Sequence, residues 1–185
     1  MSQWKNRFTV RRQGELDHAC GAYSVVNAAV ALGALDDDGD GLRTTLARLR
    51  RADPAAFADI TSRVLQVGTW ERHLKKLGAA AGVTVTRVSK PTFGNFVHHE
   101  DRPSFHIALV RVDFSDPAVK SANRGSPFSC LHFVVVLDVA EDAVIVADPH
   151  PWRARLQRVP RRTFQSWLRA ARRGKRPWVG RITKA

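Results

Sequence analysis

The stretch Gln13-Gly14-Glu15-Leu16-Asp17-His18-Ala19-Cys20-Gly21-Ala22-Tyr23-Ser24-Val25-Val26-Asn27 passes from a polar loop into a helix that stays apolar on nearly every side to Leu32. Asp17 is a suitable N-cap, because a carboxylate there accepts the free N–H groups of the first turn. A helix with no polar face belongs inside a domain, and Gly33 is placed to end it. Cys20 stands in the first turn, where the positive end of the helix dipole favours thiolate over thiol. Ala19, Gly21 and Ala22 leave the sulfur room to be reached, and Gln13 offers a side-chain N–H donor close by. A helical thiol on its own is more often a buried structural group. The reading changes when the chain also supplies a base and a group to orient it.

His132 and Asp148 are that pair. His132 begins the apolar strand predicted over 130–139, and Asp148 ends the one over 143–147. A hairpin centred on Ala140 sets the two directly opposite each other, with side chains starting ~5 Å apart on one face. A carboxylate there can hold the imidazole by one ring nitrogen and leave the other for a thiol. His18 and His150 are rival bases, but His18 precedes Cys20 by two helical residues and points elsewhere.

Outward from these residues, helical spacing marks 42–50, 54–67 and 69–81, the last with Trp70, Leu74 and Leu77 on one stripe and with Gly78 and Gly82 closing it. Alternation marks a strand over 83–88. A short helix is expected over 92–99, a strand over 105–112, a polar loop over 114–129, and a strand over 156–159. An amphipathic helix over 160–173 and a strand over 178–182 complete the chain. Helices first and antiparallel strands after is the α+β pattern. Asp36, Asp38, Asp40 and Gly41 match the first half of an EF-hand loop, but Ala47 stands where a bidentate Glu is required, so the segment reads as a polar turn into the next helix. His98, His99, Glu100 and Asp101 match no zinc spacing.

Composition narrows the rest. The 185 residues suit one domain with a real core. Two cysteines make no disulfide scaffold, the N-terminus carries no signal core, and no apolar run approaches the ~20 residues that span a bilayer. A protein cytoplasmic at synthesis is the expectation, with export as an effector the variant of it. The net charge is +13. Residues 149–185 hold twelve Lys and Arg and no acid, while the eighteen basic and seventeen acidic groups before them nearly cancel. Such a pole can meet a polyanion, or it can be a solvated face.

Gln…Cys-Gly at the start of a buried helix, then His132-Phe133-Val134-Val135-Val136, then Val146-Ala147-Asp148-Pro149, resembles a papain-like cysteine peptidase. The similarity is greatest to the double-glycine leader peptidase domain of bacteriocin-exporting transporters. It extends to 71–82, like that family's Leu-rich helix ending in Leu-Gly, and to Phe164 and Trp167 after the Asp-Pro. The resemblance implies a single papain-like domain over 1–185, helical over about 14–82 and sheet over about 83–185. It implies Cys20 as nucleophile, His132 as general base and acid, Asp148 as the orienting residue and Gln13 as oxyanion donor, with no cofactor. Gln13 stands one residue further from the cysteine than is usual in the family, and residues 1–185 themselves contain no transporter segment. The expected reaction is cleavage of a peptide or isopeptide bond through an acyl-enzyme, with a small-residue, Gly-Gly-like site as one form of substrate. The same machinery serves a deamidase or transglutaminase effector. The reading from another class is a basic nucleic-acid-binding module without catalysis.

Overall fold

A computed structural model of the chain describes residues 20–37, 40–62, 70–89, 91, 96, 104–112, 130–149, 156–171 and 178–185. Among these it forms α1 (Cys20–Ala31), α2 (Gly41–Ala52), α3 (Pro54–Ser62), α4 (Trp70–Ala80), β1 (Val83–Arg87), β2 (Ser104–Val112), β3 (Cys130–Val139), β4 (Ala143–Ala147), β5 (Leu156–Pro160), α5 (Arg161–Ala170) and β6 (Val179–Lys184). The strands make one antiparallel sheet in the order β1-β6-β2-β3-β4-β5. This is the α+β architecture that the order of elements predicts, with the cysteine-bearing helix buried against a sheet that carries the histidine and leads into the aspartate.

Two apolar layers hold it together. On one face Val25, Val26, Ala28 and Ala29 of α1 pack with Leu49, Leu74 and Leu77 from the other N-terminal helices against Ile107, Leu109, Phe133, Val135 and Leu137. On the other, Phe164, Trp167 and Leu168 of α5 cover Ala108, Val110, Val134, Val136, Val144 and Val146. The central strands are therefore buried on both faces, which is why 107–110 and 133–137 read as unbroken apolar runs rather than alternating ones. The alanines of α1 let its axis approach the sheet closely.

Gly33 ends α1 as the sequence predicts. Its φ is +66°, and the N–H groups of Gly33 and Ala34 bond back to Val30 and Ala29 at 2.9 and 2.8 Å, the two bonds of a Schellman close. Gly82 closes α4 with φ +76°, but Gly78 does not share that task. It lies inside α4, where a Cβ would come 2.7 Å from Val85 Cγ2 and 3.0 Å from the Val83 carbonyl. Its role is to let α4 lie on β1. Between α2 and α3, Asp53 accepts the Ala56 N–H at 2.9 Å and a bond from Lys76 of α4. The Lys76 and Ala56 donors hold its carboxyl below the usual carboxylate range.

The hairpin of β3 and β4 is present, but its register is not the one centred on Ala140. Val135 pairs with Ala147 and Val136 with Val146, and a bulge separates these from Asp138↔Ile145. Continued past Ala147, this register sets Asp148 across from Val134, so His132 is its diagonal neighbour, not its directly opposed one. The offset is two residues. Side chains alternate with period two, so an even offset keeps both groups on one face.

Other boundaries move by small amounts: β6 runs to Lys184 rather than 182, and α5 is Arg161–Ala170 rather than 160–173. The segment 92–99 apart from Phe96, the loop 114–129, the turn residues Asp38 and Gly39, and His98 to Asp101 lie outside the described residues. No helix among the described residues is long and apolar enough to cross a membrane.

Candidate active site

Three of the four residues assigned to the site come together. The His132 Nε2 lies 2.6 Å from Asp148 Oδ1, which leaves Nδ1 for the Cys20 thiol hydrogen-bonded to the same ring. Cys20 is half-buried at the first described turn of α1; His132 is 3% exposed and Asp148 not at all. Gln13, Asp17, His18 and His150 lie outside the described residues.

The meeting of helix and strand has a local cause. Pairing of β4 with β3 stops at Ala147, and on that register the next residue to face Phe133 is Pro149, which has no N–H to give. The main-chain groups of Phe133 go to α1 instead. Its carbonyl accepts the Ser24 hydroxyl at 3.1 Å, and its N–H bonds to the Cys20 sulfur. Ser24 and Cys20 are one turn apart on the helix, so one helix edge takes both groups of one peptide residue. Ser24 is wholly buried.

Electrostatics follow from these contacts. Burial pushes the Cys20 thiol up, but the hydrogen bond and charge of His132, with the N–H groups of Phe133 and Gly21, bring it down on balance. Burial alone would push His132 down. The Asp148 charge and hydrogen bond outweigh it, with help from Cys20, and raise the ring to about 10. The arrangement therefore favours the thiolate–imidazolium form of the pair, in front of a carboxylate that supports the charge of the ring.

Two side chains at the site carry little signal in the sequence. Ser24 lies inside an apolar run and looks like a tolerated small residue. Gln157 of β5 donates its amide N–H to Asp148 Oδ2 at 3.2 Å. Its one signal is a polar residue in phase with the buried Val159, on a strand too short to show its register. The other described histidines stand apart. His73 faces Asp59 at 3.6 Å, and His106 lies under Phe96 with ring centroids 5.2 Å apart, where burial and Arg181 push it down to about 4. Among the described residues no group of three or more His, Cys, Asp or Glu could hold a metal ion.

No protein-family model matches the chain, and no curated protein does at a significant level. The fold does have solved counterparts. A crystal structure described as that of a C39-like peptidase from Bacillus anthracis superposes with a TM-score of 0.53 at 12% identity, over 99% of this chain and 97% of that one. The chain thus shares the α+β, papain-like fold of that structure.

Proposed function

We propose that the chain is a cysteine peptidase in which Cys20, His132 and Asp148 act together and Gln13 completes the oxyanion site. The contact of a half-buried thiol with an imidazole held by a buried carboxylate carries this reading, and the peptidase-like fold supports it. The Cys20 thiolate attacks a peptide or isopeptide carbonyl carbon, and the C=O π pair moves to oxygen. As the tetrahedral species collapses, the imidazolium of His132 gives its proton to the departing amine, leaving a thioester. The now neutral His132 takes a proton from water, whose oxygen adds to the thioester. The second collapse releases the acid and restores thiolate and imidazolium. Asp148 orients the ring throughout without taking the proton.

The substrate is a peptide or protein, and a small-residue, Gly-Gly-like cleavage site is the form the sequence resemblance favours. The excess of basic groups after Asp148 supports contact with an acidic partner surface or another polyanion. The test is to incubate the protein and its Cys20→Ala variant with a cell extract, trap the acyl-enzyme, and identify adduct and products by mass spectrometry. New peptide termini that need Cys20 are the expected result. Glutamine converted to glutamate or to a cross-link, with no new termini, would replace hydrolysis by the deamidase or transglutaminase reading. Identical products from both proteins would leave the thiol without a catalytic part.

A further inference from the structure

We propose that Gln157 is a positioning residue for this site, holding Asp148 by the carboxylate oxygen that His132 does not use; the inference rests on the reading of Cys20, His132 and Asp148 as one working set. A fully buried carboxylate keeps its charge only when its oxygens are hydrogen-bonded. Here each oxygen has a donor on a different strand: Oδ1 has His132 of β3 at 2.6 Å, and Oδ2 has Gln157 of β5 at 3.2 Å. The terminal torsion of an aspartate is soft. Donors on both oxygens fix the carboxylate plane, and with it the ring that Oδ1 holds.

The placement on β5 makes this contact available. Gln157 pairs with Val146, so it shares a face with Val146 and Asp148 and reaches the latter diagonally. That face is otherwise apolar, with Val144, Val146 and Val159 packed beneath α5. A half-buried amide at such a position is costly unless it is bonded.

The chemistry also favours a neutral donor. An arginine or lysine on Oδ2 would compete with the imidazolium for the Asp148 charge and lower the ring's proton affinity. The amide stabilises the carboxylate without that competition. Among the described residues, Arg158 and Arg161 turn to other partners. On α1 the titratable neighbour is Cys20, and on β2 the residue opposite His132 is Val110. Arg158 of β5 points to the other face and pairs with Asp142 at 2.5 Å. Arg161 of α5 gives its Nε to the Ala140 carbonyl at 2.8 Å, at the turn end of the hairpin.

Removing the Gln157 donor destabilises ionised Asp148, which weakens the imidazolium and in turn the thiolate. Alkylation of Cys20 by iodoacetamide reads the thiolate without any substrate. In Gln157→Met the midpoint of the rate-against-pH curve should move up by about one pH unit, with the native circular-dichroism spectrum kept and a modest fall in melting temperature. Gln157→Thr, too short to reach Asp148 but well suited to a strand, should do the same and covers the case of a poorly folded Met variant. Curves that superpose on an activated wild type in both variants overturn the inference and leave the peptidase reading standing. A wild-type midpoint in the ordinary thiol range near ~8.5 brings down the Cys20–His132 pair and this inference together.

Discussion

The Cys20 sulfur is surrounded by an imidazole and two main-chain N–H groups, and the imidazole by a buried carboxylate. With the thiol held below its usual range and His132 raised to about 10, the charged form of the pair is favoured over an interval that closes near pH 10. Cleavage requires the thiolate and the imidazolium at once. Activity should therefore rise as Cys20 ionises, and fall only as the pH passes about 10, where the raised His132 loses its proton. A decline centred near the ordinary histidine value of ~6.5 would mean that Asp148 does not support the ring. Below about pH 8, where an ordinary thiol is mostly protonated, limiting iodoacetamide should label Cys20 well before Cys130, and equal labelling of the folded protein would contradict the argument. Asp148 gives a sharper test. Asparagine has nearly the same shape and still accepts from His132 Nε2, but it turns an N–H toward the Gln157 amide, which must rotate to present its oxygen. Asp148→Asn should lower turnover ~10-fold, Asp148→Ala ~10²–10³-fold because the ring can swing, and His132→Ala should abolish nearly everything. Wild-type turnover in Asp148→Ala would reduce Asp148 to a strand end before Pro149.

The elements are legible in the sequence where the physics is local, and less so where it depends on pairing. Apolar runs, Gly33 and the tight turn after Val139 place α1, β3 and β4 within a residue or two, because burial and turn chemistry act within a few positions. Register is a relation between strands, and the bulge between Val136 and Asp138 leaves no trace in composition. A hairpin drawn symmetrically about Ala140 misses that bulge, yet its error is an even number of residues and so still brings His132 and Asp148 to one face. Gln157 is illegible because three strands must be aligned at once, and Ser24 because a hydroxyl at a helix–sheet contact looks like any small residue. The Ser24 bond predicts its own effect. Ser24→Ala leaves the Phe133 carbonyl short of a donor at a fully buried position, so it should cost about 1–3 kcal/mol and lower the melting temperature by roughly 2–4 °C per kcal/mol. A decrease of less than half that size would mean that α1 is held to β3 by packing alone. Gly78→Ala should destabilise to a similar degree, about 1–3 kcal/mol, with Cys20 alkylation unchanged, since its clash is with β1 and not with the site.

At the scale of the whole molecule the charge is lopsided, and among the described residues it divides into groups engaged in the fold and groups turned to solvent. Arg158 pairs with Asp142, Arg161 caps a carbonyl, and Lys184 reaches the Gly33 carbonyl at 3.1 Å. Arg162 and Arg169 are exposed on α5, seven residues and so two helical turns apart on one side, opposite the stripe of Phe164, Trp167 and Leu168 that enters the core. An amphipathic helix with an apolar inner face and an arginine outer face, in a chain of net charge +13, is suited to lie against a polyanion. Arg162 and Arg169 point away from the sheet face that α5 covers and that carries His132 and Asp148, and Cys20 sits on α1 across the sheet. Polyanion binding and catalysis should therefore separate. In the intact protein, binding to duplex DNA or to anionic vesicles should weaken steeply with salt. Arg162→Gln with Arg169→Gln should reduce the slope of log affinity against log salt by about 1 for each phosphate that is no longer neutralised, with Cys20 alkylation unaltered. A slope unchanged by the double variant would place the polyanion on other basic residues. No binding to either probe at low salt would make the arginine face a solvated surface.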